Sequence, residues 1–283
     1  MRYAARFSAL TAIFVIAAAM PALAASAIPV IGCTTISTPG FYEVTVPINA
    51  VGTCIVINTS GVTLEVANDI TGNGDGIGIQ LTSDTEGDVV RGPIGEFGEH
   101  ATISNFNVGI ESDGSGEVIG DFDLDDNLDT GLLINGPNAG TSCDHINANN
   151  NTNYGVHFLS SNGARGFDIG GHNNGIYAVW LDFSTHVILS GIGGSSNGTA
   201  DAQLGGPSAY SKSNVIDYAD VSGSKYGLVI EKGSRSNVIG NAGLLSNGET
   251  AATIDDLLDK NEACDHDIWF VSSYKKRSPS CIH

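Results

Sequence analysis

Carboxylates that can bind a cation are concentrated in one short stretch of this chain. The sequence DFDLDDNLD, residues 121–129, brings several of them together, and carboxylate oxygens are the ligands that Ca²⁺ prefers. The aspartates Asp121, Asp123, Asp125 and Asp126 therefore form a candidate calcium site. The alternative is a solvated acidic turn.

A second set of candidates follows a recurring pair, glycine and then an apolar residue. The position after such a pair is occupied by Glu111, His157 and Tyr177. Gln203 occupies the same position within DAQLGG, a degenerate copy of the repeat that begins at Asp201. A histidine beside a tyrosine, with a carboxylate nearby, suits proton abstraction and return. His157, Tyr177 and Glu111 are thus candidate catalytic residues and Gln203 a candidate ligand contact. An exposed tyrosine row also suits stacking on sugar rings, and an ordinary polar column without a ligand is the alternative.

The elements that must position these side chains are short repeats rather than helices. The glycine–apolar pairs recur mostly at steps of 20 to 27 residues, and a second β-branched run precedes each of them. One such repeat cannot bury a core alone, but stacked repeats can, with coils about 4.8 Å apart. The spacing predicts a parallel β-solenoid. One exception, residues 253–263 (TIDDLLDKNEA), predicts a short helix.

The tetrapeptide Ser-Asn-Val-Ile occurs twice, at residues 213–216 and 236–239, which are 23 positions apart. In a solenoid both copies occupy the same place in neighbouring coils, so their asparagines should stack as a ladder before a Val-Ile strand. Alternation of strand side chains then predicts two columns. The inward column is Ile110, Leu132, Val156, Ile176 and Leu228, and the outward column is Gly78, Glu111, Leu133, His157, Tyr177, Gln203 and Val229.

The chain begins with the pattern of a secretory signal peptide. Arg2 and Arg6 precede an apolar run and an Ala-Leu-Ala site, which is the order of charge, apolar core and cleavage site. We expect residues 1–24 to be removed, which leaves a secreted or periplasmic chain without a transmembrane segment. A loose match to a lipoprotein box at residues 30–33 leaves lipidation of Cys33 as an alternative.

Five cysteines remain in an exported chain, where disulfides form. Cys33 and Cys54 flank the start and Cys264 and Cys281 flank the end, so each pair is expected to close a short terminal loop. Cys143 is left over and is expected to be a buried, free thiol.

Several motifs carry a resemblance over nearly the whole mature chain. They are the opening Cys33, Pro39-Gly40, Tyr42 and Cys54, the runs Gly61-Val62-Thr63-Leu64 and Ile70-Thr71-Gly72, the glycine–apolar coils, and the closing Cys264, Trp269 and Cys281. They resemble secreted right-handed parallel β-helix repeat proteins of the pectate-lyase-like superfamily. The resemblance implies an all-β, three-sided right-handed parallel β-helix with disulfide-closed ends. Its parts would be a cap and first coil at 25–75, coils at 76–254 and a cap at 255–283.

The resemblance does not extend to known catalytic motifs of this scaffold. Polygalacturonases use Asn-Thr-Asp, Asp-Asp, Gly-His-Gly and Arg-Ile-Lys, whereas here Asn151-Thr152-Asn153 lacks the acid and no Arg-Ile-Lys exists. Pectate lyases pair calcium-binding acids with a basic residue, and no such base is evident here.

The charge narrows the partners. Removing residues 1–24 lowers the formal net charge from −19 to −21. This charge excludes nucleic acid as a binding partner. It would also repel polyuronates unless Ca²⁺ bridges them. We expect a carbohydrate-interacting protein at or outside the cell surface, with neutral or amino-sugar glycans as ligands. A polysaccharide lyase or epimerase using His157 and Tyr177 is one alternative, and a structural protein without a ligand is the other.

Overall fold

The computed structural model describes residues 26–93, 100–137, 140–206, 210–244, 257–273 and 277–278. The predicted signal peptide lies outside this range. Within the described residues, no helix is both long and apolar enough to cross a membrane.

Almost all regular structure consists of parallel strands in two sheets, which confirms the predicted parallel β-solenoid. The sheet of 11 strands contains β2 (Thr34–Ile36), β5 (Ile55–Ile57), β8 (Ile77–Leu81), β11 (Val108–Ser112), β13 (Thr130–Asn135), β15 (Tyr154–Leu159), β17 (Tyr177–Asp182), β19 (Ala200–Leu204), β21 (Tyr226–Ile230), β23 (Leu257–Asp259) and β25 (Arg277–Ser278).

The second sheet has 14 strands. Its members are β1 (Ile28–Val30), β3 (Gly40–Val44), β4 (Ile48–Asn49), β6 (Val62–Val66), β7 (Ile70–Thr71), β9 (Val89–Arg91), β10 (Ala101–Ser104), β12 (Val118–Asp125), β14 (Ser142–Asn147), β16 (Arg165–His172), β18 (Ile188–Ser195), β20 (Val215–Ser222), β22 (Val238–Leu244) and β24 (Ile268–Ser273).

The larger sheet covers two sides of the solenoid because its long strands bend in the middle. The first part of β12 pairs with β9 and its second part with β10. Between the two parts, Asp121 has a φ of 64°, in the left-handed region that few non-glycine residues adopt. Left-handed residues recur at this bend in the following coils: His145, Asp168, Gly191, Tyr218 and Asn241. With the 11-stranded sheet as the third side, each full coil has three sides.

Asparagine ladders hold the turns between the sides, as the doubled tetrapeptide predicts. Asn214 Nδ2 donates to Asn237 Oδ1 at 3.1 Å, and the strands β20 and β22 begin at the next residue in each copy. A second ladder joins Asn127, Asn151, Asn174 and Asn197 through Nδ2–Oδ1 bonds of 3.0–3.1 Å. These bonds satisfy buried amides that would otherwise be costly.

The predicted inward column is correct except at one coil. Ile110, Leu132 and Val156 pair in register and are fully buried. The next member is Val179 rather than Ile176, which is only half-buried. The reason is that Ala178 occupies the position in the next coil that corresponds to Gly155. The glycine marker is therefore missing from that coil. The glycine–apolar pair at 175–176 belongs to the preceding turn.

The ends of the described chain follow the cysteine predictions in part. Cys33 and Cys54 form a disulfide, as predicted. Cys143 is free and buried, as expected, and burial raises the pKa of its thiol to about 12. Cys264 is disulfide-bonded, and its predicted partner Cys281 lies outside the described residues.

The helix predicted at 253–263 is wrong over its described part. Leu257–Asp259 is strand β23, paired in parallel with β21, and a short 3₁₀ helix spans Glu262–His266. The apolar residues Leu257 and Leu258 continue the columns of the preceding coil, so stacking overrides the local helical pattern.

Candidate functional site

Four ring-bearing side chains lie together on the outer face of the 11-stranded sheet. Tyr154 and His157 come from β15, and Tyr177 and Trp180 come from the neighbouring β17. In the register, Tyr154 pairs with Tyr177 and His157 pairs with Trp180. We call these four residues the aromatic surface.

A break in the side-chain alternation of β15 brings two rows of rings to the same face. Val156 is fully buried, and a Cβ at Gly155 would point at the buried Asn174 amide. Two successive residues of β15 therefore face inward, so Tyr154 and His157 can both face outward although they are three positions apart. The glycine is needed because the interior has no room for a side chain beside the asparagine ladder.

The rings form two stacked pairs that lean on each other. Tyr154 and Tyr177 have centroids 5.8 Å apart at an interplanar angle of 15°, and His157 and Trp180 have centroids 4.3 Å apart at 12°. Across the pairs, Tyr154 and Trp180 are 4.8 Å apart at 43°. The tyrosines and the tryptophan are half-exposed, so the cluster presents a rigid aromatic platform to solvent.

His157 lies under this platform next to a carboxylate. It is 8% exposed, and burial lowers its pKa to about 4, so the imidazole is neutral near pH 7. Its Nε2 is buried without a hydrogen-bond partner among the described residues and lies 4.0 Å from Asp182 Oδ2. A neutral imidazole nitrogen without a partner retains its capacity to accept or donate one bond.

The structure agrees with the predicted outward column only in part. Glu111 lies two coils from His157 with Leu133 between them, as the register predicts. Tyr177 is not in the column of His157, because Trp180 occupies that position. Gly78 is also out of the column, since Gln80 is the partner of Glu111.

Gln203 pairs with Trp180 in the register but is almost fully buried. Its Nε2 donates to the Gly205 carbonyl at 3.0 Å, and its side chain also hydrogen-bonds Tyr177. Burial raises the pKa of Tyr177 to about 12 although that hydrogen bond opposes the rise. Gln203 therefore supports the tyrosine from beneath, and a direct contact with a ligand stays a prediction.

Sequence reasoning missed Trp180, Tyr154 and Asp182. The signal was present, because YGVHFL and YAVWLD align without a gap once alanine is accepted in place of the marker glycine. That alignment puts tyrosine on tyrosine and histidine on tryptophan.

The candidate calcium ligands lie on the 14-stranded sheet and have separate partners. Asp121 Oδ2 accepts from Arg91 Nη1 at 2.9 Å, Asp123 Oδ1 accepts from Asn147 Nδ2 at 2.9 Å, and Asp125 Oδ1 accepts from Asn149 Nδ2 at 3.1 Å. Asp126 is exposed. Within the described residues, no group of three or more His, Cys, Asp or Glu side chains is arranged to hold a metal ion. A calcium site at these residues stays a prediction.

A charged cluster surrounds Asp121 at the bend of the long strands. Arg91 bonds both Asp121 and Asp144, at 2.9 and 3.2 Å. His145 Nδ1 lies 3.5 Å from both carboxylates, and its Nε2 lies 3.9 Å from Asp168. We call these five residues the charged corner.

Comparison with known proteins supports the fold alone. No protein-family model matches the chain, and no curated protein matches it. Tailspike protein 2 of bacteriophage CBA120 is similar in structure, both as its enzymatically active domain and at full length. Each has a TM-score of 0.56 and 11% identity over 82% of this chain, and the match covers 42% and 37% of those proteins.

ORF18 of Geobacillus virus E2 is similar with a TM-score of 0.52 and 14% identity, over 80% of this chain and 52% of that one. The chain therefore spans about half or less of the length of these proteins. The fold and the ring cluster define it as a parallel β-solenoid with an aromatic surface.

Proposed function

We propose that this protein is exported and binds a polysaccharide along the aromatic surface. The observation that carries the proposal is the packing of four rings from two adjacent coils on one face, three of them half-exposed. Sugar rings present apolar faces that stack on aromatic side chains, and hydroxyl groups that need polar partners at the edge. The rings are held by a rigid sheet, so little ordering entropy is lost on binding.

The electrostatics favour neutral or amino-sugar glycans over polyuronates. The mature chain carries a formal net charge of −21 if residues 1–24 are removed. Asp182 lies beside the rings, and no Lys or Arg of the described residues forms a salt bridge with it. A polyanion at this surface would be repelled unless a bridging cation, such as Ca²⁺ at Asp121, Asp123, Asp125 and Asp126, intervened.

A glycan array on the mature protein identifies the ligand, and one substitution then tests the site. Trp180→Leu removes the ring but keeps an apolar side chain, and should weaken binding of the best glycan by about 30-fold, or about 2 kcal/mol. Phe167→Leu is the matched control, because Phe167 is 57% exposed on the other sheet. Both variants should melt near the wild-type temperature. If Trp180→Leu binds as tightly as wild type, the proposed surface is wrong.

A polysaccharide lyase or epimerase is a second candidate, favoured by the neutral, unpartnered His157 Nε2, which can accept a proton. Glu111 is half-buried, and burial raises its pKa. A lyase produces unsaturated ends that absorb in the ultraviolet, whereas a binder produces none. His157→Ala and Tyr177→Phe should abolish any such product if these residues transfer protons. A protein that neither binds nor cleaves a glycan would instead have a structural role.

A further inference from the structure

We propose that the aromatic surface selects glycans that carry a protonated amine, with Asp182 supplying the counter-charge. This inference rests on the proposed function and narrows its ligand to cationic amino sugars.

Asp182 is a carboxylate that the fold leaves without a cationic partner. It is 8% exposed, and its Oδ1 is buried with no hydrogen-bond partner among the described residues. Its Oδ2 lies 4.0 Å from His157 Nε2, but this imidazole is neutral near pH 7 because burial lowers its pKa to about 4. Taking an anion out of water without a counter-charge is costly, so a cation arriving at this surface would offset part of that cost.

The rings of the aromatic surface can themselves attract a cation. A cation over the face of a tryptophan or tyrosine is attracted by the ring quadrupole, more strongly when water is excluded. Trp180 lies 5.6 Å from Tyr177 and 4.8 Å from Tyr154, centroid to centroid. An ammonium group on any of the three rings would therefore remain close to the other two.

Further carboxylates extend the negative field along the same face. Asp129 and Asp182 both act electrostatically on the Tyr154 hydroxyl, and Glu231 and Asp182 act on that of Tyr177. Glu231 is paired with Lys260, whereas Asp129 accepts a hydrogen bond from the neutral Asn153 amide and forms no salt bridge within the part of the chain that the structure describes. The unbalanced charges thus lie around the tyrosine edges of the aromatic surface.

The chemistry separates three otherwise similar sugars. Glucose offers a hydroxyl at carbon 2, N-acetylglucosamine a neutral amide, and glucosamine an ammonium. All three stack on a ring equally well, but only the ammonium gains from Asp182 and from the cation–π interaction. Asp182 is mostly covered and lies 4.0 Å from the imidazole that stacks on Trp180, so salt screens its charge less than it would at an exposed site.

The test measures binding of linear hexamers of glucosamine, N-acetylglucosamine and glucose to the mature protein by calorimetry at about pH 6, where the glucosamine amines are mostly protonated and His157 is still neutral because its pKa is about 4. The glucosamine hexamer should bind about 10-fold more tightly than the acetylated one. Asp182→Asn should reduce this preference to about 2-fold or less. Asp168→Asn is the matched control, since it removes one exposed carboxylate of the charged corner and should keep the preference.

A hexamer of lysine distinguishes selection from general attraction to an acidic protein. It should compete poorly with the glucosamine hexamer, and equal competition would overturn the inference. If all three sugars bind equally, or if Asp182→Asn keeps the preference, the inference fails while the proposed function stands. If no sugar binds to wild type, the inference fails, and the glycan array with Trp180→Leu decides the proposed function separately. The wild-type preference decides the matter even if Asp182→Asn does not fold.

Discussion

The two sheets carry carboxylates in opposite ways. At the charged corner, Arg91 lies between Asp121 and Asp144 with N–O distances of 2.9 and 3.2 Å. Beside the aromatic surface, Asp182 has no Lys or Arg partner among the described residues, and the imidazole 4.0 Å from it is neutral near pH 7. The corner therefore gives Asp121 and Asp144 a shared cationic partner, whereas at the aromatic surface Asp182 has none among the described residues. Binding sites commonly combine apolar rings with a few polar groups that are free to bond a ligand.

The corner has a sufficient structural role. Each of its carboxylates lies at or next to the bend where Asp121, His145 and Asp168 adopt left-handed backbone angles. Such angles cost energy for non-glycine residues, and the ion pairs cross-link neighbouring coils at the strained position. A structural role thus explains the dense cluster of charged residues, whereas none of the contacts within the described residues explains the sparse cluster of rings.

The largest expected effect tests whether the two surfaces share one core. Val156 lies beneath the aromatic surface and Ile146 beneath the charged corner's sheet, and both are fully buried. Val156→Asp and Ile146→Asp each bury an unpaired charge and should each lower the free energy of unfolding by about 4 kcal/mol. Denaturant unfolding measures both, and Val156→Ala is the milder control. A Val156→Asp variant as stable as wild type would show that the inward register is wrong.

The next prediction concerns a buried carboxyl behind the aromatic sheet. Asp201 takes the position of the marker glycine one coil after Ala178, and is fully buried. Its Oδ1 accepts from Asn197 Nδ2 at 2.7 Å, while its Oδ2 has no partner among the described residues. Burial raises its pKa to about 7, and the hydrogen bonds from Ser224 and Asn197 only partly oppose the rise.

Because the folded pKa of Asp201 is raised, the folded state holds its proton at pH values where the unfolded chain has lost it. Stability therefore falls as pH rises from about 4 to about 7, by at most about 1.4 kcal/mol per pH unit from this group. Asp201→Asn removes the titration, so relative to wild type it should gain about 2 kcal/mol between pH 5 and pH 7. The exposed Asp168→Asn should show no such change. Parallel pH profiles for wild type and Asp201→Asn would contradict the prediction.

The fold could be predicted from the sequence because residues that stack in neighbouring coils recur at similar intervals along the chain. The doubled Ser-Asn-Val-Ile predicts the ladder of Asn214 and Asn237, which the structure contains. The register failed at two coils, where Gly76 and Gly175 were taken as the markers. A Cβ at Gly175 would collide with the Thr152 carbonyl oxygen, so this glycine is needed for the turn, while Ala178 fits inside.

The candidate site was predicted only in part for the same reason. His157 and Glu111 were placed in the correct column, but a shift of three residues exchanged Trp180 for Tyr177. The bend of the long strands could not be read at all, because Asp121, His145 and Tyr218 adopt left-handed angles without being glycine. Such angles are imposed by the stacked coils rather than by local preference, so no short sequence signal marks them.

The smallest expected effect concerns the charged corner itself. Arg91 is about one-third exposed, while Asp121 and Asp144 are more buried, at 12% and 21% of their side chains. Arg91→Gln keeps a hydrogen-bond donor but removes the charge between two carboxylates, and should lower the free energy of unfolding by about 1 kcal/mol. Because the pairs are partly covered, the loss should persist in 1 M salt, where exposed charges are screened within about 3 Å.

Lys260→Gln is the matched control, because Lys260 forms an ion pair with Glu231 and is 42% exposed. Its smaller loss should disappear in salt. Glycan binding should be unchanged in Arg91→Gln if the corner only braces the bend. A corner variant that weakens binding while its stability is intact would move the functional site from the rings to the charges, and so reverse the contrast between the two sheets.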